Sequence, residues 1–77
     1  MSLNKRFNVP ENYEVIQTGF KVKGSLAQNE YWDYEILNTK GVKIFTIESW
    51  DCTNFKKSNI GFRKYDLQGK LIEDARE

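Results

Sequence analysis

Histidine is absent from the 77-residue chain, and cysteine and proline each occur once, as Cys52 and Pro10. Without histidine the chain lacks the imidazole base of Ser-His and Cys-His catalysis, and it lacks the usual side chain for sensing pH. A single cysteine excludes a disulfide within the chain and a cysteine-rich zinc site. Because these absences remove most familiar enzyme chemistries, we expect a non-catalytic protein that needs no metal or other cofactor.

Excess charge and long apolar runs are also missing. Twelve Lys and Arg residues face eleven Asp and Glu residues, so the net charge is +1. That balance gives no global field to draw the chain onto nucleic acid or an anionic membrane. No run approaches the roughly 18 apolar residues of a membrane span, and the first residues lack the apolar core of a secretion signal. Together with the free thiol, these observations predict a cytoplasmic protein that does not enter membranes.

The residues that are abundant favour β-structure. Val, Ile, Thr, Phe, Tyr and Trp make up 25 of the 77 residues, whereas Ala, the best helix former, occurs twice. Each of the two Trp, four Tyr and five Phe rings can bury about 150–250 Å², so a short chain can build a core from few residues. The length allows one domain. We expect a flexible N-terminal arm over residues 1–11, in which Phe7 and Val9 can dock on a neighbouring surface, and a single β domain over residues 12–77.

Residues 13–26 are predicted to form one long first strand. Alternate residues of a strand point to opposite faces, and one parity of this segment carries Ile16, Phe20, Val22 and Leu26. This parity continues through Gly19, and Thr18-Gly19 is poor chemistry for a two-residue hairpin turn. We therefore expect the strand to bend at Gly19 or Gly24 rather than to reverse. At about 3.3 Å per residue such a strand is roughly 45 Å long, so it must curl in so small a protein.

Four shorter strands are predicted at 30–37, 42–50, 60–67 and 70–73, separated by turns at 38–41 and 68–69, with the longest loop at 51–59. The third strand carries apolar residues on both faces, Trp50 on one and Phe45 and Ile47 on the other, which is typical of a central strand covered on both sides. This strand list predicts an all-β fold, either a small five-stranded antiparallel curled sheet or an SH3-like or OB-like barrel, with a long bent first strand.

The fourth and fifth predicted strands are joined by the sequence YDLQGKL, Tyr65 to Leu71. These seven residues resemble a single copy of the YD repeat of large secreted shell proteins, with Lys70 where that motif usually has Arg. The motif does not recur in the chain. The resemblance implies a strand, a glycine turn and a second strand, and it implies no function.

Basic side chains alternate with aromatic rings between residues 55 and 65, and no acidic residue interrupts them. Cations that bind phosphates and rings that stack on bases are what single-stranded nucleic-acid binding requires. The candidate surface consists of Phe55, Lys56, Lys57, Arg63, Lys64 and Tyr65. In the competing interpretation, the basic residues only solvate a loop and the outside of a strand, and the small net charge favours this interpretation.

The predicted second strand is, in contrast, acidic and aromatic, with the sequence EYWDYE over residues 30–35. Its charge complements that of the basic segment, which suits pairing between strands or between subunits. A small core and a surplus of rings also favour association. The leading hypothesis is a non-catalytic protein-interaction module that binds another protein or a second copy of itself, with Tyr31 and Trp50 as candidate contact residues. A small β-barrel that binds single-stranded nucleic acid is the alternative.

Overall fold

The computed structural model describes residues 2–24, 29–53 and 58–76. A short helix and five strands follow one another in the order α1 (Leu3–Arg6), β1 (Glu14–Lys23), β2 (Asn29–Leu37), β3 (Lys43–Thr53), β4 (Ser58–Tyr65) and β5 (Leu71–Arg76). Each strand pairs antiparallel with the next, and the sheet order is β1-β2-β3-β4-β5. The first and last strands do not contact each other, so the sheet is not closed into a barrel. The predicted all-β class is confirmed in the form of an open five-stranded sheet.

The first strand passes Gly19 without reversing, as predicted, but its faces exchange there. The register with β2 shifts between Gln17 and Gly19, which marks a β-bulge, and the extra residue of a bulge interrupts the alternation of side chains. Ile16 pairs with Glu35, whereas Phe20 pairs with Trp32 on the opposite face. The prediction that Ile16 and Phe20 share a face is therefore wrong, because it assumed an alternation that the bulge breaks. Leu26, the last member of that predicted row, lies outside the described residues.

The two faces of the sheet differ in what covers them. We call the side that carries Tyr34, Ile47 and Phe62 the core face, and the opposite side, which carries Tyr31, Trp50 and Arg63, the open face. The segment that contains α1 packs on the core face and inserts a fully buried Phe7. The ring centroid of Phe7 lies 5.1 Å from that of Tyr34 and 5.1 Å from that of Phe62. The buried apolar core consists of Phe7, Val9, Tyr34, Ile36, Ile47 and Phe62.

Polar contacts hold the N-terminal segment in this position. The Ser2 hydroxyl accepts a hydrogen bond from the Lys5 backbone N–H at the start of α1, which satisfies one donor that the helix leaves free. The Asn4 side-chain amide donates to the carbonyl oxygens of Pro10 and Tyr13 at 2.8 and 2.7 Å. Within the N-terminal arm, residues 2–11 thus include a helical turn, and Phe7 and Val9 dock on the sheet.

The two described hairpin turns are built alike. Asn38 and Asp66 each accept hydrogen bonds through a side-chain oxygen from the backbone N–H groups two and four residues later. Such side-chain bonds stabilise a turn locally. Gly41 and Gly69 then take positive φ values of 78° and 86°, which glycine adopts without steric cost. The second turn joins β4 to β5 and is the hairpin that the YDLQGKL sequence implies.

Some strand ends differ from the predicted ones. β3 continues to Thr53 and β4 begins at Ser58, so both enter the predicted 51–59 loop, whereas β4 ends at Tyr65, before its predicted end. β5 continues to Arg76, beyond its predicted end at Glu73. In β5 the Asp74 carboxylate lies 3.5 Å from Nε of Arg63 in the paired strand β4. Cross-strand pairing therefore accommodates a segment whose composition alone does not indicate a strand.

Replacing Phe7 by Ala should lower the free energy of unfolding by about 3–5 kcal/mol, because it empties the space between Tyr34 and Phe62. Urea unfolding followed by tryptophan fluorescence measures the change. The control is Leu3→Ala, which truncates a side chain of the same segment that is 38% exposed, and which should cost less than about 1 kcal/mol. Equal losses in the two variants would show that Phe7 has no special place in the core.

Candidate functional site

Two glycines shape the open face. Gly61 of β4 lies opposite Trp50 of β3, and a Cβ atom at Gly61 would lie 2.7 Å from Cζ2 of the indole. The indole thus extends across the glycine. Gly19 of β1 lies opposite Asp33 of β2, and a Cβ atom there would lie 2.9 Å from the carboxylate Oδ2. Side chains of the two neighbouring strands β2 and β3 therefore lean apart, each over a glycine of the next strand outward.

A depression of about 320 Å³ opens where these side chains part. Its lining includes the aromatic residues Tyr31, Trp32 and Trp50 and the charged residues Asp33, Glu48, Arg63 and Arg76. These residues come from β2, β3, β4 and β5, so hydrogen-bonded strands rather than loops position them. We call this feature the open-face depression.

The basic side of the open-face depression is held by one carboxylate. Asp74 lies 3.5 Å from Nε of Arg63 and 3.7 Å from Nε of Arg76. The guanidinium carbon of Arg63 also lies 5.3 Å from the centroid of the Trp50 ring, within the range of a cation–π contact. The indole Nε1 donates a hydrogen bond of 3.1 Å to Oδ1 of Asn59. Trp50 is thus held by its contact with Gly61, by its hydrogen bond to Asn59 and by the Arg63 guanidinium near its ring.

The acidic side forms no comparable ion pair, although Glu48 lies opposite Arg63 in the pairing of β3 with β4. Asp33 and Glu48 lie directly opposite each other in the pairing of β2 with β3, an arrangement of like charges that destabilises a sheet. Within the described parts of the chain, no Lys or Arg nitrogen lies within 4.0 Å of either carboxylate. Glu48 accepts a hydrogen bond of 3.4 Å from the Tyr65 hydroxyl. The depression is therefore acidic over β2 and β3 and basic over β4 and β5.

Two tyrosines have perturbed acidity. The Tyr31 hydroxyl and Sγ of Cys52 lie 3.5 Å apart, and the hydrogen bond between them raises the pKa of Tyr31 above its ordinary value because it favours the protonated phenol. Burial raises the pKa of Tyr34, and the charge of Arg6 opposes this shift. Both shifts move the phenols further from neutral pH, so neither tyrosine becomes a base or a nucleophile at pH 7.

The structure separates the residues of the predicted basic and aromatic segment. Arg63 and Tyr65 lie on the open face, together with the candidate contact residues Tyr31 and Trp50. Lys64 points to the core face and is 5% exposed. The remaining members of the predicted surface, Phe55, Lys56 and Lys57, lie outside the described residues.

Lys64 joins the sheet to the N-terminal segment. Its Nζ donates a hydrogen bond of 3.1 Å to the carbonyl oxygen of Asn8 and lies 3.3 Å from Oε1 of Glu73. The Asn8 side-chain amide donates to the other oxygen of Glu73 at 2.6 Å. Sequence reasoning placed Lys64 beside Arg63 on one surface, although successive residues of a strand point to opposite faces. That alternation was the signal that could have separated them.

The core face has an uncovered end, which we call the apolar patch: Phe20, Val22 and Trp32. Phe20 is 54% exposed and Val22 is 43% exposed, and the centroids of the Phe20 and Trp32 rings lie 5.6 Å apart. The lysines at positions 21 and 23 of β1 pair with Tyr31 and Asn29, on the open face. The patch is therefore apolar although its strand is rich in lysine.

In the described residues, no group of three or more acidic or cysteine side chains is placed to hold a metal ion. The one described helix has four residues, and none of the described chain forms a helix long and apolar enough to cross a membrane.

Comparison of the chain with protein-family models, with curated proteins and with solved structures finds no match. The protein is therefore described by its own fold and site. It is an open five-stranded antiparallel meander whose N-terminal segment covers part of one face, with a charged aromatic depression on the other face.

Replacing Lys64 by Met should lower the free energy of unfolding by about 1.5–3 kcal/mol, since it removes hydrogen bonds from a charged group and leaves the Asn8 carbonyl without its donor. Thermal and urea unfolding measure the loss. Lys40→Met, at an exposed position of a turn, is the matched control and should change stability by less than about 0.5 kcal/mol. An unchanged midpoint for the Lys64 variant would mean that the contacts of its ammonium group contribute nothing.

Replacing Gly61 by Ala should destabilise the protein by about 1–3 kcal/mol, because the new methyl group overlaps the Trp50 ring and the carbonyl oxygen of Ala75. The emission of Trp50 should change as its ring is displaced. In the matched variant Gly19→Ala, the nearest atom is the tip of the rotatable Asp33 side chain, so a change below about 0.5 kcal/mol is expected. A larger loss of stability in Gly19→Ala than in Gly61→Ala would contradict the close packing of Trp50 on Gly61.

Proposed function

We propose that the protein is a non-catalytic protein-interaction module that associates with a second copy of itself through the apolar patch. The observation that carries this proposal is the unequal cover of the core face. At one end Phe7 is 0% exposed, and at the other end Phe20 is 54% exposed although it packs on Trp32. An apolar cluster on an otherwise polar surface commonly marks a contact site.

A second copy suits this patch because a two-fold interface brings the same surface of each chain together, and an apolar patch complements itself. The charges of β1 do not obstruct such packing, since Lys21 and Lys23 point to the other face. Three side chains bury less than the roughly 1,200–2,000 Å² of a standard stable interface. We therefore expect a weak dimer that forms at micromolar or higher concentrations.

The chemistry of the chain supports a binding role rather than a catalytic one. The protein contains no histidine, and the perturbed tyrosines Tyr31 and Tyr34 are weaker acids than usual. We place the protein in the cytoplasm, where reducing conditions keep an unpaired thiol such as that of Cys52 from oxidising.

Single-stranded nucleic-acid binding is the second candidate function. In its favour, Trp50 and Arg63 form a ring and cation pair on the open face at 5.3 Å, and stacking with a cation nearby is how such sites hold a base. Two features weaken it. Asp74 forms ion pairs with both Arg63 and Arg76, and the ammonium group of Lys64 is engaged on the core face.

Sedimentation velocity from micromolar to millimolar concentration should show a monomer that passes reversibly into a dimer. Phe20→Ser should shift the dissociation constant upward by about ten-fold or more, because burial of one large apolar side chain contributes roughly 1.5–3 kcal/mol. Val22→Glu places a charge in the interface and should abolish the dimer. This second variant identifies the apolar patch as the interface even if Phe20→Ser also alters folding.

The matched control is Val42→Ser. Val42 is also 54% exposed but lies in the turn between β2 and β3, at the other end of the sheet, so its loss should leave the dimer unchanged. A strictly monomeric protein at millimolar concentration would refute self-association. Equal weakening by the Val42 and Phe20 variants would instead locate the contact elsewhere.

A further inference from the structure

We propose that the open-face depression binds a cationic side chain, lysine or arginine, that a partner protein presents. This site lies on the face opposite the apolar patch, so the proposal does not rest on self-association. It would give the protein a second binding surface with a different chemistry.

The first argument is electrostatic. Asp33 and Glu48 oppose each other on neighbouring central strands. No Lys or Arg nitrogen of the described chain lies within 4.0 Å of either carboxylate, although Arg63 is the partner of Glu48 in the next strand. The backbone pairing holds the two charges together, so their repulsion persists in the free protein. A cation placed between them relieves this repulsion and gains two attractive contacts.

The basic residues of the depression do not cancel this preference. Arg63 and Arg76 are both engaged by Asp74. Three carboxylates, those of Asp33, Glu48 and Asp74, are balanced around the site by Arg63, Arg76 and Lys23. The charges are separated, however, because Asp33 and Glu48 lie together over β2 and β3. A cation is therefore attracted to one defined end of the depression.

The second argument concerns the walls. Tyr31 and Trp50 lie opposite each other in the same two strands. They occupy the neighbouring position on the open face, next to Asp33 and Glu48. Each ring already attracts a cation of its own chain, since Nζ of Lys23 lies 5.8 Å from the Tyr31 centroid and the Arg63 guanidinium lies 5.3 Å from the Trp50 centroid. Rings of this kind also pack against the methylene stem of a long basic side chain.

The third argument concerns size and setting. A volume of about 320 Å³ is at the lower limit for a small-molecule pocket, and it suits one long side chain better than a whole ligand. Trp, Tyr and Arg at the centre with polar residues around them are the usual composition of an energetic centre in a protein interface. The occupant is therefore best supplied by a partner protein whose remaining surface rests on the surrounding strands.

The test uses two small probes, N-acetyl-lysine methylamide and its uncharged analogue N-acetyl-norleucine methylamide. Each is titrated into isotopically labelled protein at a concentration where the protein sediments as a monomer. The lysine probe should shift the indole N–H resonance of Trp50. The resonance of Trp32, whose ring packs on Phe20 on the core face, should move much less. The norleucine probe should bind about ten-fold more weakly, because it lacks the contacts with both carboxylates.

Variants locate the binding. Asp33→Asn combined with Glu48→Gln should reduce affinity for the lysine probe to that for norleucine, without loss of stability, because the change removes a repulsion. Glu35→Gln is the matched control. Glu35 lies on the open face of the same strand, and its carboxylate is 3.7 Å from Nζ of Lys43, outside the lining of the depression, so its loss should leave binding unchanged.

Three results would overturn the proposal: no shift of the Trp50 indole at saturating lysine probe, equal binding of the two probes, or unchanged binding in the double variant. A short oligothymidine serves as an anionic probe at the same site. If it shifts the Trp50 indole while the lysine probe does not, the cationic site is refuted and nucleic-acid binding becomes the better account.

Discussion

The structure depends on how a single sheet with one apolar face is kept from water. A sheet of this size has no second sheet to pack against, so the cover must come from the short segment before β1. Phe7 supplies the central contact, wedged between Tyr34 and Phe62, and Lys64 ties the following turn to the sheet through Asn8. A segment of this length covers only one end of the face, and Phe20 at the other end is therefore exposed.

Glycine determines the character of the open face. A side chain on the neighbouring strand normally keeps a strand residue from extending sideways over the sheet. Trp50 and Asp33 each lie opposite a glycine, which has no side chain, and they extend across it. The space they leave is the open-face depression, and the charges around it are held by strands rather than by loops. The bulge at Gly19 also sorts β1, placing its lysines on the open face and Phe20 on the core face. Two surfaces of different chemistry thus arise from the backbone of one small sheet.

Much of the fold was predictable because alternation in the middle of a strand is a local property. The central place of β3 followed from its apolar residues on both faces. The prediction was wrong where one residue interrupts that pattern, as in β1. The site was predicted only in part. Tyr31 and Trp50 stood out as rings on an acidic and on a doubly apolar strand, whereas Glu48 and Arg76 carry no signal until pairing brings them to the same depression.

The sequence by itself determined the class of fold, the positions of the turns and the absence of histidine and disulfide chemistry, because these depend on composition and on neighbours along the chain. Only the tertiary structure decided that the sheet stays open, that the N-terminal segment covers one end of it, and that Arg63 and Lys64 have different environments. Those outcomes depend on strand register and on which groups meet across the sheet. Contacts between residues far apart in the chain leave no periodic trace in it.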